Sequence, residues 1–325
     1  MNKRLKAGIA VLGGTALSII GTTALLSREA VSRKPLILPK LFAFLSSDTS
    51  NNNECDCEYS SEKYLELEYE EWCISKSVTE FEMTARDGAK LYSFLIPAET
   101  ESDIYVLCAH GYRGTRYGDF GAQAKFYHSL GYNVILIDQR AQGKSEGKYI
   151  GFGCFEAQDV IEWLKFYIDK FGNDIKFIIA GISMGAATVC IAAGDPKLPE
   201  NVICAISDCS YTSADDELKY CLPHYAHLPS EPFRSIANIL NAKTAGYSFK
   251  EACPLSAVKN AKVPMLFIHG GADDFVPTAM VYNLYDACCT DKDLLIVENA
   301  THAQSFFTNP KKYQKKVCEF VGKFI

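Results

Sequence analysis

FIIAGISMGAA, residues 177–187, runs apolar and then sets a serine between two glycines ahead of a run of small residues. An apolar strand, a sharp turn and a small-residue helix would give Ser183 a strained backbone that lifts its hydroxyl clear of a sheet. Side chains two residues to either side would collide with that strand and helix, so glycine at 181 and 185 is what the geometry demands. The following helix would turn its N-terminus toward the site, where negative charge is favoured. G-x-S-x-G is therefore read as the mount of a nucleophile, provided a base and an acid follow in the right places.

The flanking sequence supplies the frame. SVTEFEMTARDGAKLYSFLIPA (77–98) holds two strand-like runs broken by the turn Arg86-Asp87-Gly88. IYVLCAHG, NVILIDQR, IKFIIAG, NVICAISD, VPMLFIHGG and DLLIVENA are short apolar runs, as buried parallel strands should be. Between them lie helical patterns, among them FEAQDVIEWLKFYIDKFG (155–172), with acidic residues early and Gly172 as a stop. The alternation predicts an α/β fold: a mostly parallel eight-stranded sheet covered by helices, with its chemistry at the C-terminal strand ends.

Six histidines could serve Ser183. His302, in ENATHAQSF after the last strand, is in the loop that can reach it, and the order Ser…Asp…His then asks for an acid after the penultimate strand. HGGADDFVP offers Asp273, with Asp274 as the fallback and Asp208, at the end of ISD, as a further alternative. The expected roles are attack by Ser183, proton transfer by His302, and orientation of the imidazole by Asp273. The expected oxyanion donors are the main-chain N–H groups of Met184 and of Tyr112, in AHGYRGT. His110, in the same loop, is read as shaping it.

HGYRG, DQRAQGKSEG, GISMGAA, HGGADDFVP and THAQSF, in this order, resemble the α/β-hydrolase superfamily, and within it the bacterial, often membrane-anchored, dienelactone-hydrolase-like or serine-aminopeptidase-like serine hydrolases. Ala141 stands where those proteins commonly have glycine. The resemblance implies cleavage of an ester, thioester or amide with no cofactor and no metal. A carboxylesterase acting on a small acyl substrate is the first expectation, a peptidase or amidase the second, and a non-catalytic binding protein on the same scaffold the third. The segment GFGCFEAQD implies that Glu156 and Asp159 hold Arg140.

Residues 210–260, between strands six and seven, are expected to form a cap in which Tyr211, Tyr220, Tyr225, Phe233, Tyr247 and Phe249 could line a pocket. At the other end, MNKRLK precedes 21 uncharged residues, Ala7–Ser27, long enough to cross a bilayer. Residues 1–30 are thus expected to be a membrane anchor or signal, with the catalytic domain outside the cytoplasm; a secreted or cytoplasm-facing domain is the alternative. Residues 31–63 are read as a linker and 64–325 as the hydrolase domain. Net charge is −6 without basic clusters, which argues against a nucleic-acid partner. The thirteen cysteines show no zinc spacing.

Overall fold

The computed structural model describes residues 18–34 and 67–325. Two helices, α1 (18–31) and α2 (67–74), precede the sheet. The strands are β1 (Thr79–Thr84), β2 (Lys90–Ile96), β3 (Ile104–Ala109), β4 (Asn133–Asp138), β5 (Lys176–Ile182), β6 (Val202–Asp208), β7 (Met265–Gly270) and β8 (Lys292–Val297). Their order is β1-β2-β4-β3-β5-β6-β7-β8. β1 and β2 pair antiparallel, as does β2 with β4, and the other neighbours are parallel.

Period-2 alternation divides each central strand between two cores. Phe177 and Ile179 of β5 face one side, with Leu107 of β3 and Phe267 of β7. Ile178, Ala180 and Ile182 face the other, with Val106, Leu266 and Ile268. Apolar on both faces, these strands need helices on both. The first face is covered by α4 (Glu156–Phe171), α5 (Met184–Ala193) and α9 (Ala279–Ala287), through Trp163, Val189 and Leu284. The second is covered by α3 (Arg116–Ser129) and α11 (Pro310–Val321), through Phe120 and Phe320. Thr115 caps α3 by accepting from the Gly118 amide at 2.9 Å.

Helices α6 (Ala214–His224), α7 (Ser230–Thr244) and α8 (Pro254–Val258) occupy the stretch between β6 and β7, and α10 (Ser305–Thr308) precedes α11. The uncharged run Ala7–Ser27 lies outside the described residues as far as position 17. Its remainder belongs to α1, where Thr23, Ser27 and Val31 are buried at a spacing of four. Val31 packs in one cluster with Ala187, Tyr211 and Ala237. Among the described residues no helix is long and apolar enough to cross a membrane. Residues 35–63 of the expected linker lie outside the described residues.

Candidate active site

Ser183 sits between β5 and α5 with φ 55° and ψ −117°, the strained turn expected of GISMG. A Cβ on Gly185 would come within 1.8 Å of the Ala109 carbonyl oxygen, and one on Gly181 within 2.1 Å of the Gly185 oxygen. The two glycines thus let the turn fold against β3 and against itself. The Ser183 amide donates to the Asp208 carbonyl at 2.8 Å, fixing the turn to the end of β6.

Three loops at the C-terminal strand ends bring Ser183, His302 and Asp273 into one hydrogen-bonded line. Ser183 Oγ is 2.9 Å from His302 Nε2, and His302 Nδ1 is 2.8 Å from Asp273 Oδ2. An ionised carboxylate only accepts, so Nδ1 carries the imidazole proton and Nε2 is left to accept from the serine. Asp273 Oδ1 accepts from the amides of Phe275 at 3.1 Å and Val276 at 2.9 Å. Burial works against its charge, but hydrogen bonds from His269 and His302 outweigh that and hold the carboxyl at about 2.

The sequence alone assigns His269 no role. It is fully buried, with Nε2 2.9 Å from the Val276 carbonyl and 3.2 Å from Asp273 Oδ2. Both partners only accept, so Nε2 carries its proton and Asp273 is gripped by two imidazoles. The spacing His269-x-x-x-Asp273 across one turn was the available signal. His302 Nδ1 meets Asp273 rather than either alternative acid. Asp274 offers its main-chain oxygen to the hydroxyls of Tyr220 at 2.9 Å and Tyr225 at 2.8 Å. Burial pushes Asp208 up to about 6, against the lowering effects of the nearby His269, Tyr313, Ser305 and His302.

Met184 is the first residue of α5, so its N–H has no acceptor within the helix. Tyr112 follows β3 and lines the same cavity as Met184 and Ser183. His110 shapes this loop as expected: Nδ1 lies 2.8 Å from the Gly111 carbonyl, and Nε2 accepts from the Gln139 amide at 3.1 Å. Ala141 adopts φ 60°, the left-handed conformation that glycine would take without strain. The pair expected to hold Arg140 divides its work. Asp159 grips the guanidinium with two bonds of 2.6 Å, whereas Glu156 accepts from the amides of Gly151 at 2.6 Å and Gly153 at 2.9 Å. The correction follows from geometry: Glu156 opens α4 and meets the preceding loop before it can reach the arginine.

The Cys209, Asp273 and His302 ligand atoms lie within 4.8 Å of one another. They suit a metal poorly, because Asp273 and His302 are committed to each other and burial pushes the Cys209 thiol well above its usual range.

Ser183 opens into a cavity of about 210 Å³. Of the six cap aromatics, Tyr211, Tyr225 and Phe249 line it. Phe233 borders a second, smaller cavity, Tyr220 bonds Asp274, and Tyr247 donates to the Ile150 carbonyl at 2.7 Å. Glu217 supplies the only carboxyl among the described lining residues. Burial, with the nearby charges of Asp273 and Asp216, pushes it up to about 7 against the lowering effect of a Cys221 hydrogen bond. Leu26 and Ala30 of α1 complete the wall, a contribution invisible in the sequence.

A family model for the alpha/beta hydrolase fold matches residues 105–246. The Bacillus subtilis (strain 168) protein YqkD is 34% identical over 200 residues, 61% of this chain and 65% of that protein, so the chain spans less than two thirds of it. The lysophosphatidylserine lipase ABHD12 of Danio rerio is 27% identical over 203 residues, 58% of this chain and 48% of that one. The esterase Pf2001 of Pyrococcus furiosus superposes with a TM-score of 0.62 at 24% identity, covering 77% of this chain and 92% of its own. Sheet order, helical layers and these likenesses agree that the chain has the α/β-hydrolase fold.

Proposed function

We propose that the protein is a serine hydrolase that cleaves carboxylic esters through an acyl-enzyme. The observation that carries the reading is the unbroken hydrogen-bonded line Ser183–His302–Asp273 at the mouth of an apolar cavity. A serine hydroxyl is a weak nucleophile until a base takes its proton. His302 Nε2 takes it as Oγ attacks the ester carbonyl, and Asp273 stabilises the resulting imidazolium. The carbonyl oxygen gains negative charge, which the Met184 and Tyr112 amides and the N-terminus of α5 offset. His302 then protonates the leaving alcohol. Water, activated in the same way, releases the acid and restores Ser183. The chemistry needs no cofactor.

Cap aromatics around the serine suit an acyl chain, and the name of the Danio rerio relative, a lipase, fits the same substrate class. Turnover of short p-nitrophenyl esters against aminoacyl amides tests the choice: ester hydrolysis that disappears in Ser183→Ala supports it, and faster amide cleavage transfers the assignment to a peptidase. We propose membrane attachment only through the uncharged residues 7–17, because the rest of the run, 18–27, packs in α1 against the cap. Fractionation of the chain with and without residues 1–17 tests it, and equal solubility of the two forms would end it.

A further inference from the structure

The N-terminal helix borders the cavity that holds the candidate nucleophile. Leu26 and Ala30 share the first cavity with Ser183 and Met184. The second cavity, about 60 Å³, is bordered by Thr23 and Ser27 of the same helix and by Phe233 and Ala237 of α7. Leu26, Ala30, Leu218, Leu222 and Phe249 border both. The two spaces therefore lie in series, leading from the serine outward between α1 and the cap helices α6 and α7. Their walls are overwhelmingly aliphatic and aromatic.

The helix is strapped in place from the loop that also carries a proposed oxyanion donor. Arg113 donates through Nη2 to the carbonyls of Glu29 and Ser32, each at 2.9 Å, which satisfies acceptors that a helix end leaves open. Its Nε donates at 2.8 Å to the Tyr112 hydroxyl, which donates to the Ala30 carbonyl at 2.7 Å. Beyond the helix, the Ile150 amide donates to the Val31 carbonyl at 2.7 Å, and Ser32 bridges antiparallel to Tyr149.

We propose that α1 is a wall of the substrate site, closing with the cap an apolar tunnel that takes a single linear acyl chain. The inference rests on the esterase reading and narrows its substrate class to esters of unbranched fatty acids. A chain attached at Ser183 would pass Leu26 and end beside Thr23 and Phe233. Burial of apolar surface then raises kcat/KM by roughly fourfold for each methylene added, until the tunnel is full.

The test is the acyl-length profile of the full chain on p-nitrophenyl esters from acetyl to palmitoyl, for wild type, Leu26→Trp and Leu26→Ala. Trp should plug the passage between the two cavities and move the optimum to shorter chains, with the long-to-short ratio of kcat/KM falling at least tenfold. Ala should widen the passage and favour chains that reach the second cavity, raising the long-to-short ratio of kcat/KM. The paired variants keep the result readable if one folds poorly, which thermal melting reports. A long-to-short ratio that stays at the wild-type value in a folded variant overturns the proposal while leaving the esterase reading intact. Absence of ester hydrolysis in the wild type overturns the esterase reading itself.

Discussion

Asp273→Asn removes a charge while keeping the shape of the side chain, and the local hydrogen bonds dictate which way the new amide turns. The amides of Phe275 and Val276 both point at Oδ1, at 3.1 and 2.9 Å. The asparagine must therefore turn its carbonyl oxygen toward them, because main-chain amides can only donate, whereas the imidazoles of His302 and His269 at Oδ2 can move their protons. That orientation puts the NH₂ where Oδ2 now receives His302 Nδ1 at 2.8 Å. Two donors cannot pair, so the imidazole shifts its proton to Nε2. Nε2 then meets the Ser183 hydroxyl, 2.9 Å away, as a donor and cannot remove its proton. The imidazolium formed during attack also loses a carboxylate that stays ionised down to about 2. Wrong tautomer and lost charge together should lower kcat by about 10⁴-fold, about 5.4 kcal/mol of transition-state stabilisation. The assay is p-nitrophenyl acetate hydrolysis near pH 7.5, with circular dichroism to verify folding. A folded variant within tenfold of wild type would refute the reasoning and return the acid to Asp208 or Asp274.

Gly185→Ala should destabilise by roughly 4 kcal/mol or more, because its Cβ would meet the Ala109 and His110 carbonyl oxygens at 1.8 and 2.6 Å. A thermal midpoint within about 3 °C of wild type contradicts that close approach. Glu217→Gln should change how stability depends on pH. Burial raises the folded-state pKa of Glu217 from 4.5 to about 7, so its stabilising protonated form is fully present below 4.5 and lost as pH rises through about 7. Glutamine should shrink the stability difference between pH 5 and pH 8 by on the order of 2 kcal/mol in denaturant titrations, and an unchanged difference would remove the assignment. Arg113→Ala loses two charge-assisted bonds to the end of α1. Hydrogen exchange across residues 18–31 should quicken by on the order of tenfold or more, and unaltered protection would mean that the strap does not hold the helix.

The features legible in the sequence are those encoded locally. Runs such as IKFIIAG and NVICAISD are strands because both faces are apolar, and the glycines at 181 and 185 announce the turn between β5 and α5. Asp273 and His302 could be named because each stands just beyond an apolar run, where a parallel sheet gathers its loops. The grip of His269 on Asp273 was missed because a histidine ending a buried strand looks the same whichever partner it meets. Contacts across long stretches of chain left no local trace: Arg113 reaches residues 29 and 32, and Leu26 shares a wall with Phe249. Hydropathy shows that residues 18–27 want burial but not whether lipid or protein provides it. In the structure Thr23 and Ser27 are buried against the cap. The cap aromatics divided for a related reason, since the spacing of rings along residues 210–260 does not tell a cavity lining from cap core.

The central claim is that Ser183 is the nucleophile, and the most direct measurement is the site at which a fluorophosphonate becomes attached. Reaction of the folded full chain, digestion and peptide mass spectrometry should place a single adduct on Ser183, with no labelling in Ser183→Ala and strongly slowed labelling in His302→Ala. An adduct on another residue, or labelling that persists undiminished in Ser183→Ala, would contradict the account.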